Sequence, residues 1–335
     1  MEQLYAARGR AGTGLHGILP SPSCLHHKGG ALPDEPMNGT TESPNPLYAD
    51  LDLYDTPRLV DAFVDDQFQA VSAVRASSAD LARAVQATVP RLAAGGRLVY
   101  VGAGTSGRLG LQDAVELWPT FSWPPERALA LLAGGMQAVT LAVEGAEDNR
   151  DQGAADLAAI TPTANDVVLG IAASGRTPYV LGALQAARAA GALTIGIANN
   201  PGSAVAGEAE IGITLATGPE VISGSTRLKA GTAQKIALNT FSSAVMVGLH
   251  KVHGNLMVDL RATNVKLRQR AVALTMRASG ASEEMSRQML EGCGYRVKVA
   301  VVALTRGTDA ATADVLLVRH DGSVRRALSA GGLPA

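Results

Sequence analysis

Apolar positions along this chain follow two different rhythms, and their alternation predicts the fold. Five short runs, RLVYVGAG at 97–104, ALALLAGG at 128–135, DVVLGIAASG at 166–175, ALTIGIAN at 192–199 and IGITLATG at 211–218, are nearly continuous in apolar residues and end in glycine or small polar residues. Such runs are what strands buried on both faces look like. Most of them are separated by stretches in which apolar residues recur every three or four positions, the spacing of a helix. Strands alternating with helices predict an α/β fold. The expected form is a doubly wound, mostly five-stranded parallel sheet, with its ligand crevice beyond the C-terminal ends of the strands.

The flanks read differently. Helical spacing fills 57–74 and 77–92, which predicts two helices packed on the sheet domain, and a long helix is expected from Ser225 to about His250. After a linker at 261–266, two or three short helical stretches are expected around the run VKVAVVAL at 297–304, a small C-terminal helical appendage. The first 36 residues, rich in Gly, Pro and His, show neither rhythm and are expected to be disordered. Met37 heads a segment equally suited to be the true start. The expected division is therefore 1–36 extension or mis-called start, 37–95 N-terminal helical segment, 96–266 ligand-binding domain and 267–335 C-terminal helical domain.

Composition narrows the partners. Apolar residues are 47% of 335 and charged residues 18%, against about 25% charged in an average soluble domain, so a large buried core is expected. With 29 Lys+Arg against 30 Asp+Glu the formal charge is −1. No global field draws in nucleic acid or an anionic membrane, and an anionic ligand must be held locally. Cys24 and Cys293 are the only cysteines, which excludes a disulfide framework and a cysteine metal site. No apolar run reaches the roughly 18 residues of a membrane span, and the N-terminus lacks the apolar core of a signal peptide. A cytoplasmic protein is expected.

Three loops carry candidate chemistry. The first, Gly102-Ala103-Gly104-Thr105-Ser106-Gly107-Arg108, follows an expected strand and matches the G-x-G-x-x-G dinucleotide pattern. A dinucleotide also needs a carboxylate at the end of the next strand, where this chain has Gly134, Gly135 and Met136. The hydroxyls of Thr105 and Ser106 at a helix start suit a terminal phosphate instead. The second loop, Ala173-Ser174-Gly175-Arg176-Thr177-Pro178, repeats the arrangement, with Thr177 as expected cap and Pro178 in the first helical position. The third, at 223–229, brings Ser225, Thr226 and Lys229 to the start of the long helix. On pattern alone Ser174 and Thr177 could be no more than caps, and the third loop no more than the start of an amphipathic helix.

Two glutamates stand near these loops. Glu116 falls toward the end of the helix expected from Ser106, just before Trp118-Pro119, which reads as a breaker. The negative end of a helix and apolar neighbours suit a proton donor. Glu147 follows a glycine and is expected to open the next helix, whose positive end suits a base. Two ordinary surface carboxylates would give the same pattern.

The runs VGAGTSGRLG at 101–110, AVEGAED at 142–148, GIAASGRTPYV at 170–180, STRLKAGTAQK at 225–235 and GNLMVDL at 254–260, taken together and in this order, closely resemble the N-acetylmuramic acid 6-phosphate etherases of the sugar-isomerase-domain superfamily. The resemblance covers roughly residues 40–330. It implies cleavage of the lactyl ether of N-acetylmuramic acid 6-phosphate to N-acetylglucosamine 6-phosphate and D-lactate, as in cell-wall recycling, with no metal and no cofactor. It places the family's catalytic glutamates on Glu116 and Glu147; from the three loops, the phosphosugar is expected on Thr105, Ser106, Ser174, Thr177, Ser225, Thr226 and Lys229. It also implies a homodimer, with the long helix as the expected interface. Where the family usually has Ser-Glu-Cys-Pro-Pro-Thr this chain has Val115-Glu116-Leu117-Trp118-Pro119-Thr120, a bulkier surrounding for Glu116. Two other readings share the motifs: a non-catalytic sugar-phosphate sensor like the glucokinase regulatory protein, which carries two such domains where this chain has length for one, and an aldose–ketose isomerase, which has no need of the second glutamate.

Overall fold

The computed structural model describes residues 39–260 and 262–330. The expected 1–36 extension and the alternative start at Met37 lie outside the described residues. Five strands, β1 (Leu98–Gly102), β2 (Ala128–Leu132), β3 (Val167–Ala172), β4 (Leu193–Ala198) and β5 (Ile211–Thr214), form one parallel sheet in the order β2-β1-β3-β4-β5. Leu98 stands opposite Ala128 and Val167, and Val167 stands opposite Leu193. Every residue of β1, β3 and β4 is buried, which is why these strands show no polar alternation in the sequence. The chain moves outward from β1 to β2, then returns to β3 on the other side of β1. That reversal opens a crevice between the loops that follow β1 and β3.

Helices cover both faces. The N-terminal helices α1 (Thr56–Asp66), α2 (Phe68–Ala76) and α3 (Ser78–Ala93) precede the sheet, α4 (Gly104–Phe121) follows β1, and α5 (Arg150–Ala159), α6 (Pro178–Ala189), α7 (Ala204–Glu208) and α8 (Lys229–Gly248) complete the α/β unit. Leu98, Tyr100, Leu169 and Ile171 share a core with α2, α3, α4 and α8, while Val99, Val101 and Val168 share one with α5, α6 and α7. The α5–α6 pair packs through glycines: a Cβ on Gly153 would lie 1.9 Å from the Tyr179 carbonyl oxygen, and one on Gly182 would lie 2.0 Å from that of Arg150. Among the described residues no helix is long and apolar enough to cross a membrane.

Three expectations are corrected. The two N-terminal helices are three, because the first pattern breaks at Gln67 beside the buried Asp66. Trp118-Pro119 does not stop α4. Pro119 sits in its last turn, Leu117 and Phe121 are buried in the core, and the helix ends only at Ser122, in left-handed conformation with φ 51°. Among the described residues the C-terminal segment holds five helices, α9 (Val265–Ser279), α10 (Glu283–Gly292), α11 (Val297–Arg306), α12 (Ala310–Arg319) and α13 (Val324–Ser329). The apolar run is itself α11, six of whose ten residues are buried in the core that the C-terminal helices share.

A buried charge cluster holds the N-terminal helices to α8. Lys229, Asp66 and Glu220 are fully buried. The Lys229 ammonium donates to Asp66 Oδ1 at 2.9 Å and to Gln69 Oε1 at 3.0 Å, while the Glu220 carboxylate accepts from the Lys229 and Ala230 amides at 3.1 and 2.9 Å. One side chain thus caps the start of α8 while the first residue of α8 anchors α1 and α2. Burial pushes the Glu220 carboxyl above the usual carboxylate range; the two amides and the Lys229 charge work against that shift, and the Asp66 charge adds to it.

Two substitutions test these features by urea denaturation. Lys229→Met leaves two buried carboxylates without a cation and is expected to cost about 3–5 kcal/mol; a loss under about 1 kcal/mol would show that the cluster does not hold the helices. Gly182→Ala is expected to cost about 1–3 kcal/mol through overpacking, whereas the same change at Gly292, where no atom lies within 4 Å of the added Cβ, should not.

Candidate active site

The loops after β1, β3 and β4 and the start of α8 meet at the C-terminal edge of the sheet. Asn199 and Asn200, which follow β4 directly, tie them together. Asn199 donates to the carbonyls of Leu215 and Ala230 at 3.2 and 3.4 Å and accepts from Gln234 Nε2 at 2.9 Å. Asn200 donates to the Ser174 carbonyl at 3.3 Å and to Thr41 Oγ1 at 2.9 Å, and its oxygen accepts from Thr40 Oγ1 at 2.8 Å. A Cβ on Gly231 would meet Thr105 Cγ2 at 3.4 Å, so the first turns of α4 and α8 are in near contact. The segment around Thr40 and Thr41 therefore straps the loop cluster, and the Gly224 amide donates to the Thr41 carbonyl at 3.2 Å.

The three helix starts differ in what they offer an anion. The N-cap of α4 is Ala103, which has no side-chain acceptor, and Thr177 at the N-cap of α6 makes no side-chain cap bond. The first-turn N–H groups of both helices are left for a ligand. At α8 the Glu220 carboxylate already occupies that position. Thr105 is partly exposed, Ser106 is nearly buried, and Ser174 Oγ accepts from the Arg176 amide at 3.3 Å in a tight turn. Ser225 and Thr226 are partly exposed beside them. Lys229 differs from the rest: its ammonium points away into the N-terminal helices, held by Asp66 and Gln69, and offers no donor to the loops.

The two glutamates lie on the surface. Glu116 is exposed on α4 rather than set in an apolar pocket, and its Oε1 accepts from Gln112 Nε2 at 3.1 Å. One turn earlier the buried Asp113 carboxylate accepts from Tyr100 at 2.6 Å, and from Asn239 and Ser242 on α8. Burial pushes the Asp113 carboxyl up; those three bonds counter the shift, and the Glu116 charge adds to it. Since α4 is unbroken from Ser106 to Glu116, its rise separates the two by about 15 Å. Glu147 does not open α5. It sits in a single 3-10 turn, Ala146–Asp148, after which Asn149 caps α5 through the Gln152 amide at 2.9 Å. Arg108 holds the preceding loop to α4 by donating to the carbonyls of Ala138, Val139 and Leu141 at 3.0, 3.1 and 3.3 Å. No hydrogen bond links the two glutamates.

Sequence reasoning missed Asn199, Asn200, Glu220 and Gln234. The asparagine pair had a signal: it follows a buried strand just as Ser174 follows β3. Glu220 and Gln234 had none, because their roles depend on a loop and a helix start meeting only in the fold.

The chain is similar to known proteins both in part and over most of its length. The family model described as "Glucokinase regulatory protein N-terminal SIS domain" matches residues 80–188, and the one described as "SIS domain" matches residues 150–244. The N-acetylmuramic acid 6-phosphate etherase of Deinococcus radiodurans is 55% identical over 291 residues, covering 87% of this chain and 95% of that protein. The etherase of Salmonella dublin is 47% identical over 288 residues, covering 86% and 97%. A phosphoheptose isomerase structure from Francisella tularensis aligns with 58% of this chain and all of its own, at 18% identity and TM-score 0.44. Identity of this degree over nearly the whole length of its curated relatives means that the chain belongs to the N-acetylmuramic acid 6-phosphate etherase family.

Proposed function

We propose that this chain is an enzyme that cleaves the D-lactyl ether of N-acetylmuramic acid 6-phosphate, giving N-acetylglucosamine 6-phosphate and D-lactate. The observation that carries the reading is the 55% identity to an etherase over 95% of that protein's length. The loop cluster supports it. Two uncapped helix starts and the hydroxyls of Thr105, Ser106, Ser174, Thr177, Ser225 and Thr226 suit a phosphomonoester without a basic patch. Lys229 serves this site by fixing the start of α8 rather than by touching the phosphate.

The chemistry is that of a carbon–oxygen lyase. In the ring-opened sugar the C1 aldehyde acidifies the C2 proton. Glu147 removes it, the C3–O bond breaks with a proton from Glu116, and water then adds at C3 of the unsaturated aldehyde. No step needs a metal or a cofactor.

The active unit is a homodimer with a shared site, working in the cytoplasm on a soluble phosphosugar. A sugar held at the α4 start does not reach Glu116 of the same helix, about 15 Å away, so one glutamate comes from the partner. Val60, Val64, Phe68 and Val71 form an exposed apolar stripe along α1 and α2, with Phe68 68% exposed. Beside it an apolar groove of about 510 Å³ runs between α2, α3 and α8. The long helix α8 contributes Ile236, Thr240 and Ala244 to this groove, while eleven of its twenty residues are buried in the layer. The C-terminal helices gather around a core of their own, but Val258 and Leu260 belong to it, so the C-terminal unit begins before residue 267.

The direct test is D-lactate release from N-acetylmuramic acid 6-phosphate. Wild-type protein should release it and Glu116→Gln or Glu147→Gln should lower kcat by about 100-fold or more; no lactate from folded wild type would refute the activity and favour the sensor or isomerase. Mixing the two inactive variants should restore about one quarter of wild-type activity if each site draws one glutamate from each subunit of a two-fold dimer. Verified mixed dimers without activity would refute the sharing.

A further inference from the structure

The motif at 254–260 takes no part in the loop cluster. It lies instead on a second cavity of about 800 Å³, whose charged and aromatic walls are Asp259, Arg268, Tyr295, Arg296, Lys298 and Asp314. None of Thr105, Ser106, Ser174, Thr177, Ser225 or Thr226 lines it.

The charges around this cavity do not cancel. Asp259 Oδ2 receives two ammonium groups, Lys251 at 2.7 Å and Lys298 at 3.0 Å, so one positive charge stays uncompensated. Arg296 is neutralised by Asp314 at 2.8 Å. Arg268 lies over the Tyr295 ring, 5.1 Å from its centroid, and has no acidic partner among the described residues. The lining thus carries one positive charge in excess, Arg268, Arg296 and Lys298 against Asp259 and Asp314, and Lys251, which meets Asp259 from outside the lining, adds a second; together they approach the charge of a phosphomonoester at neutral pH. The start of α11 faces the same space. Its N-cap, Arg296, makes no side-chain cap bond, and Val297, Lys298 and Val299 of its first turn line the cavity. Burial lowers the affinity of Lys298 for its proton, and the Lys251 charge adds to this, while Asp259 opposes it. A bound anion would relieve that cost. Val258, Val299 and Leu317 supply apolar wall, and the exposed Arg268–Tyr295 stack supplies a flat face, so the space suits an organic body as well as an anion.

We propose that this cavity is a second ligand site, for a small organic phosphate, separate from the site at the edge of the sheet. It makes no use of the etherase reading and stands or falls independently of it. The experiment is calorimetric titration of the full chain with glucose 6-phosphate and, separately, AMP, with inorganic phosphate as the reference anion. At least one organic phosphate should bind more tightly than inorganic phosphate. That binding should persist in Thr105→Ala/Ser174→Ala and weaken at least about tenfold in Arg268→Gln/Lys298→Gln. Arg268→Gln alone, at an exposed position where the fold is not at stake, should weaken it in the same direction. Which of the two ligands binds tells a sugar phosphate from a nucleotide. Inorganic phosphate binding as tightly as both, no binding by either organic phosphate, or binding lost in the loop variant and unchanged in the cavity variants would overturn the proposal.

Discussion

The buried contact between Lys229 and the carboxylates of Asp66 and Glu220 is the interaction on which the rest of the loop cluster depends. Three charges out of water are costly unless each is paired and hydrogen-bonded. Here one lysine answers Asp66 through its ammonium and Glu220 through its amide. Because Lys229 is the first residue of α8, this fixes where α8 begins, hence where Ser225 and Thr226 stand and where Ala230 presents its carbonyl to Asn199. The same contact brings α1 and α2 against the α/β unit. A charged residue that sequence pattern offers as a phosphate ligand is thus spent on architecture, and in the proposed site the phosphate falls to hydroxyls and helix starts. A formal charge of −1 is no obstacle to such a site.

A second constraint is the length of α4. Leu117 and Phe121 pack into the core, so the helix gains more by continuing through Pro119 than by stopping. Its straight run carries Glu116 away from its own phosphate loop. The same helix holds the Glu147 loop through Arg108 near its start and reaches α8 through Asp113 farther along. In the proposed reaction α4 therefore spans the distance between the phosphate loop and Glu116, and in the proposed dimer the apolar stripe on α1 and α2 is the face for a second chain.

The sheet was legible because strands buried on both faces leave continuous apolar runs, and all five runs became strands within a few residues. The loops were legible as turns because the apolar runs end in glycine and small hydroxyl residues, which favour turns and helix starts. What escaped detection depends on contacts distant in sequence. Nothing near Lys229 shows that Asp66 and Gln69 wait for its ammonium, and Asn199 and Asn200 look like an ordinary turn until Thr41 and Gln234 close on them. The C-terminal helices were under-counted for a different reason. The run at 297–304 is short and rich in valine, and a short apolar run of that kind is not told from a buried strand by its pattern alone.

In the proposed reaction the ether is cleaved on the sugar side, at C3, by elimination and rehydration. Carrying out the reaction in deuterated, ¹⁸O-labelled water and determining the mass of both products tests this. Elimination and rehydration place ¹⁸O on the C3 hydroxyl and deuterium at C2 of N-acetylglucosamine 6-phosphate, with the released D-lactate retaining the original ether oxygen. Label in the lactate hydroxyl, with none at C2 or C3 of the sugar, would contradict it.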